Sequence, residues 1–211
     1  MIRCTQSICV IMILVAATAT AAELTADELA KKIVANHGGP EKLLRTFKFT
    51  ETYVLSGREK GTDRSSILQP PGLWYVGKRE RVSDENKGGV CHDVWMWTLA
   101  PLADPATKLE LLPDATMDGK PAKHLKASGT FTPAMDVYFD TVSDDLVRID
   151  WKGEQFNFSA PVTVDGTRVP SKCVLIGKSG KERMRTELRD IQRLDALPAE
   201  LPKPVEKKPA K

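Results

Sequence analysis

Histidine is scarce. His37, His92 and His124 are the three in a chain of 211 residues, and their spacing fits no metal-ligand pattern. No G-x-S-x-G elbow, phosphate-binding glycine loop or H-E-x-x-H run occurs. The strongest short-range candidate for a nucleophile is Cys91-His92-Asp93. The segment that carries it, "VCHDVWMWTL", reads as a strand, and neighbours on a strand point to opposite faces. A catalytic Cys/His pair is made by proximity in space, so this adjacency reads as chance and the residues as strand packing. These absences argue against an enzyme and leave no positive sign of a cofactor or metal. A hydrolase built on dispersed carboxylates or Cys91 has nothing further to support it.

Excess charge of one sign is also lacking. The formal net charge is +3, which gives no electrostatic case for nucleic acid. Long hydrophobic runs are confined to the N-terminus. There, Arg3 precedes an apolar run from Ile8 to Ala17 and a small-residue Ala-x-Ala ending. The run is short for a bilayer span. The pattern is that of a secretory signal peptide over residues 1–22, cleaved after Ala22, and removing Arg3 lowers the charge to +2. Cysteine is sparse too: Cys91 and Cys173 follow the leader. Export permits a disulfide between them, but one widely spaced pair is weak evidence for it, and two small buried residues is the favoured reading.

What remains is ordinary globular material, 41% hydrophobic and 28% charged. Residues 23–202 are expected to form one domain, and the Lys/Pro-rich residues 203–211 a solvated tail. Thr25 and Glu28 make a capping box ahead of an apolar stripe, Leu29, Ile33 and Val34. "NHGG" stops that helix with a left-handed glycine, and His37 at its end reads as a cap. Pro40 is expected to open a second short helix carrying Leu43 and Leu44. Beyond Phe47 the period changes to two. "FKFTETYVLSG", "LWYVGKRERVS", "VCHDVWMWTL", "TKLELLP" and "AKHLKASGTF" read as successive strands, with "KRER" a solvated charge run. The hairpin "AMDVYFDTVSDDLVRIDW" and another around Asp165-Gly166 follow. "KERMRTELRDIQRLD" fits either helix or strand, and continuation of the meander favours strand. Asp136, Asp140, Asp144, Asp145 and Asp150 crowd the first hairpin without calcium-loop spacing and read as a solvated turn.

The unusual feature is apolarity on both strand faces. Trp95 and Trp97 share one face of "DVWMWTL" while Val94 and Met96 share the other. Tyr138 opposes Val137 and Phe139, and Leu146 opposes Val147, Ile149 and Trp151. Such a sheet must be covered twice. The N-terminal helices can cover one side. The other is either a second layer or a concave interior left open for a ligand.

The pieces "HGGPEKL", "VYFD…DDLVRID" and "VDGTRVP", in this order in an exported chain, resemble the outer-membrane lipoprotein-sorting superfamily of LolA/LolB-like periplasmic carriers, over about Ala26 to Pro202. The resemblance implies an α+β fold: a curved antiparallel sheet, an incomplete β-barrel, with the N-terminal helices packed on its concave face. It implies a hydrophobic cavity, for which Phe47, Phe49, Trp74, Trp95, Trp97, Phe139 and Trp151 are the lining candidates. It implies an apolar ligand, such as lipoprotein acyl chains, as partner. The alternative on the same fold is a sensor or interaction domain for envelope proteins, recognising them through a strand edge or an exposed apolar patch.

Overall fold

The computed structural model describes residues 24–77, 79–80 and 91–201. The expected leader, the whole expected tail, and Lys78 and Arg81 of the charge run lie outside the described residues. The elements are α1 (Ala26–Asn36), β1 (Phe47–Leu55), β2 (Thr62–Gln69), β3 (Leu73–Val76), β4 (Arg79–Glu80), α2 (Cys91–Trp97), a 3-10 turn (Ala100–Ala103), β5 (Lys108–Met117), β6 (Lys120–Ser128), β7 (Met135–Asp140), β8 (Leu146–Trp151), β9 (Glu154–Val164), β10 (Thr167–Ile176) and β11 (Glu182–Arg193).

The strands form one antiparallel sheet in the order β4-β3-β2-β1-β11-β10-β9-β8-β7-β6-β5. First and last strands meet in the middle: β1 pairs with β11 from Phe47↔Arg193 to Leu55↔Met184. The ends, β4 and β5, do not pair with each other, so the sheet is open and not closed into a barrel.

Helix α1 starts where its capping chemistry directs. The Thr25 hydroxyl accepts from the Glu28 amide, and the Glu28 carboxylate accepts from the Thr25 amide at 2.9 Å. Those hydrogen bonds hold the Glu28 carboxyl below its usual range. The helix buries Leu29, Ala30, Ile33 and Val34 in one cluster with Leu125, Met135, Val137, Phe139, Ile149 and Trp151 of the sheet. Each of the Leu, Ile, Val, Met and Phe side chains among them contributes about 1.5–3 kcal/mol through burial. Gly38 and Gly39 both take positive φ and end the helix. A Cβ at Gly38 would lie 2.2 Å from the Gly166 carbonyl oxygen, so the helix end touches the Asp165-Gly166 turn. No helix forms at Pro40: residues 40–45 are turns, although Leu43 and Leu44 are buried as the apolar pattern requires.

Two strand expectations need correction. Within "VCHDVWMWTL", Cys91–Trp97 is helix α2, not a strand. Its residues are buried on several sides, so it lacks the polar stripe that marks a helix in sequence. Trp95 and Trp97 therefore diverge. Trp95 and Met96 join the cluster under α1, whereas Cys91 and Trp97 join a second cluster with Phe47, Phe49, Leu68, Trp74 and Val169. β2 was not expected at all; its first half, Thr62–Ser65, is polar and mostly exposed.

The β7–β8 hairpin forms, with a register shift between Tyr138 and Phe139. Tyr138 faces Arg148, and Phe139 faces Leu146. This bulge turns Leu146 to the same buried face as Ile149 and Trp151, correcting their expected opposition. Tyr138 on the other face is covered by its neighbours: His124 stacks on it at 4.4 Å and the Arg148 guanidinium lies 5.6 Å from its ring centre. The acidic turn is not simply solvated. Asp144 is buried and accepts from Lys32 at 3.0 Å and Asn36 at 2.6 Å, tying α1 to the hairpin. Asp145 receives Arg168 through Nε and Nη2 and lies 3.6 Å from His37 Nε2. Burial disfavours its ionised form, yet the Arg168 hydrogen bonds and charge prevail and hold the carboxyl below its ordinary range. His37 is buried and hydrogen-bonded through Nδ1 to the Ile33 carbonyl, as a helix-end cap.

Candidate functional site

Between α2 and the middle of the sheet lies a cavity of ≈ 110 Å³. Its walls come from strands far apart in sequence. Phe49 (β1), Leu68 (β2) and Trp74 (β3) form one side; Phe156 and Phe158 (β9) and Leu175 (β10) form the other. Met184 and Leu188 of β11 make the floor, and Val94 and Trp97 of α2 the roof. Strand alternation puts Met184, Thr186 and Leu188 inward while Arg185 and Glu187 point away. For scale, a dry apolar cavity of about 150 Å³ holds one benzene. The space as it stands fits a ring or a short stretch of chain.

Two polar features interrupt these walls. Glu51 is buried and receives Arg64 Nε at 2.5 Å and Nη2 at 3.2 Å, with the Ser66 hydroxyl at 3.3 Å. The Arg64 guanidinium lies 4.8 Å from the Tyr53 ring centre and 4.9 Å from that of Trp74. This pair is neutral as a unit and fully engaged. The second feature is Asp93 on α2, whose Oδ1 is buried and has no hydrogen-bond partner among the described residues. Burial pushes its carboxyl up to about 7; the Val94 amide opposes that rise, and the Glu154 charge adds to it. Across the cavity wall, Cys173 is a free thiol pushed up to about 12 by burial and by the Asp93 charge. Cys91 is buried and is not bonded to Cys173, so the optional disulfide does not form.

The seven lining candidates fall into three groups. Phe49, Trp74 and Trp97 line the cavity. Phe47 stands behind it, 6.0 Å from Phe49 and 5.7 Å from Trp97 between ring centres. Trp95, Phe139 and Trp151 lie in the filled core beneath α1. Trp97 is fixed by its indole N–H, which donates to the Pro170 carbonyl at 2.9 Å. The residues that the sequence reading missed are Phe156, Phe158, Met184, Leu188 and Asp93. Alternation marked several as inward on one of two possible faces, and only the register selects the face. A larger depression of ≈ 660 Å³ touches β1, β10 and β11, but Arg58, Glu59, Arg185 and Glu187 line it and offer an apolar ligand no dry wall.

The chain is thus an open antiparallel sheet with α1 packed on one apolar cluster and α2 roofing the cavity. Solved structures share this fold. The chain superposes on a domain from Vibrio parahaemolyticus described as outer membrane lipoprotein-sorting, with TM-score 0.56 and 10% identity over 82% of this chain and 94% of that one. It also superposes on a DUF1329 family protein from Desulfovibrio piger, with TM-score 0.50 and 10% identity over 82% of this chain and 93% of that one. At such identity the likeness is one of fold. No family model and no curated protein sequence matches the chain.

Proposed function

We propose that this chain is an exported, non-catalytic binding or carrier protein that holds an apolar ligand between α2 and the sheet. The observation that carries this reading is the cavity itself, an apolar space walled by Phe49, Trp74, Trp97, Phe156 and Leu188. Interiors normally close such space, because an unfilled apolar void forfeits contacts. A ligand segment recovers them, and each methylene taken from water contributes about 0.8 kcal/mol. Lipoprotein acyl chains are the ligand class that the fold likeness favours. The leader-like residues 1–22 support export to the periplasm. A longer chain than the present cavity admits requires α2 to lift, and α2 is only seven residues long.

The sensor or interaction reading calls for a contiguous exposed apolar patch. Among the described residues the exposed large apolar side chains are Leu24 before α1, Leu55 on β1, Val142 in the β7–β8 turn and Val162 on β9, which are scattered along the chain and do not favour it.

The test is binding of benzene, read by isothermal titration calorimetry, to the wild type and to Leu188→Trp, which fills the floor. Saturable one-to-one uptake that the filled variant loses is expected. Absent uptake, or uptake indifferent to filling, overturns the proposal.

A further inference from the structure

The open sheet ends in a short strand, β4, and a long one, β5. Among the described residues β5 pairs with β6 alone, from Lys108↔Ser128 to Met117↔Lys120. A long edge leaves backbone donors and acceptors unpaired on its outer side. Alternation decides which ones. The Ser128 hydroxyl donates to the Lys108 carbonyl at 3.4 Å, and the Ala106 carbonyl oxygen abuts Gly129. Residues 106, 108 and 110 therefore turn their backbone groups towards β6, and Thr107, Leu109 and Leu111 turn theirs outwards. Pro113 has no N–H, and the register slips between Leu112 and Ala115, so the regular edge ends there. At its other end the Thr107 N–H is taken by the Asp104 carbonyl at 3.0 Å. Side chains alternate as well. Lys108 and Glu110 are exposed, whereas Leu109 and Leu111 are half-buried against the cluster under α1.

We infer that β5 pairs antiparallel with β5 of a second copy of this chain, about a two-fold axis through Leu109. In that register the two Leu109 residues exchange N–H to carbonyl hydrogen bonds, and each Leu111 N–H donates to the partner's Thr107 carbonyl. Lys108 stands opposite the partner's Glu110, and Glu110 opposite the partner's Lys108. Both pairs are of opposite sign on the exposed face, while the leucines extend the apolar cluster on the other. Glu110 then lies between Lys126 of its own β6 and the partner's Lys108. Neighbouring registers fail. Centring on Glu110 opposes two carboxylates, and centring on Lys108 opposes two ammonium groups. Centring on Leu111 sets Pro113 against Leu109, whose carbonyl then finds no donor. The edge matches its own copy because the run 107–111 carries both charges at equal distance from its centre. The seam is remote from the strands that wall the cavity, so each copy keeps its own.

Sedimentation velocity of the chain beginning at Glu23, over about 5–500 µM, tests the pairing in the range where a small, reversible interface associates. Amide hydrogen exchange is followed over the same range. The wild type should pass from monomer to dimer, and the Leu109 and Leu111 amides should exchange more slowly as it does. Lys108→Glu and Glu110→Lys should each weaken association about tenfold or more, since each turns both attractive pairs repulsive. Lys108→Glu combined with Glu110→Lys restores opposite signs and should recover the wild-type affinity to within about threefold. A wild type that stays monomeric throughout overturns the inference. So does a dimer indifferent to the single reversals, or one in which the Leu109 amide gains no protection.

Discussion

Asp93 makes the most quantitative prediction. Its carboxyl has an ordinary value of 3.8 and is pushed to about 7 in the folded protein, chiefly by burial. The unfolded chain therefore releases this proton near pH 4, while the native state keeps it until about pH 7. Below pH 4 both states are protonated and the group adds no pH dependence. Between those limits the native state binds more protons, so stability falls as pH rises, and above about pH 7 the loss is complete. At about 1.36 kcal/mol per pH unit of difference, the full loss is about 4 kcal/mol. Asp93→Asn carries no titrating group there. Urea unfolding of both proteins at pH 4 and pH 8 isolates the contribution, because every other group is shared. The wild type should lose about 4 kcal/mol more than the variant between these pH values. Parallel pH profiles, agreeing within about 0.5 kcal/mol, would refute the assignment of Asp93 to a dry wall.

Other consequences concern the frame. Gly38→Ala should destabilise by about 2 kcal/mol or more in thermal unfolding, because its φ of +107° disfavours a side chain and the new Cβ meets the Gly166 carbonyl; an unchanged melting temperature would contradict the contact. Asp144→Ala should cost about 2 kcal/mol in urea unfolding, since it removes the acceptor shared by Lys32 and Asn36; Asp144→Asn should recover part of this. Thr25→Ala should cost about 1 kcal/mol through loss of the capping box, and Thr25→Ser little. Ellman's reagent at pH 8 should react slowly with the native chain beginning at Glu23 and count two thiols after unfolding, because Cys91 is buried and burial holds the Cys173 proton.

Local signals that carry their own geometry were legible in sequence. The Thr25–Glu28 box placed the start of α1 to the residue, and Asp165-Gly166 placed a two-residue turn with both residues at positive φ. β11 was recovered because it continued the meander, although its periodicity alone was neutral. Features set by distant partners were not legible. α2 alternates like a strand because it sits between two apolar clusters, and seven residues are too few for the period to decide. The β8 bulge moved Leu146 to the face of Ile149, which a strict two-residue period forbids. The cavity was foreseen as a kind of site and only partly as a set of residues. Phe49, Trp74 and Trp97 converge there, but Trp95, Phe139 and Trp151 fill the neighbouring core. Asp93 was visible beside Cys91 and His92 and dismissed with them; its setting comes from the apolar residues that six strands bring around the cavity.

Native mass spectrometry of the protein purified from the cells that produce it tests the central claim most directly, with Leu188→Trp prepared in parallel. A stoichiometric amphiphile adduct on the wild type, missing from the filled variant and recoverable by organic extraction, is the predicted result. A ligand-free wild-type mass, unchanged after incubation with added lipid, would contradict the carrier account.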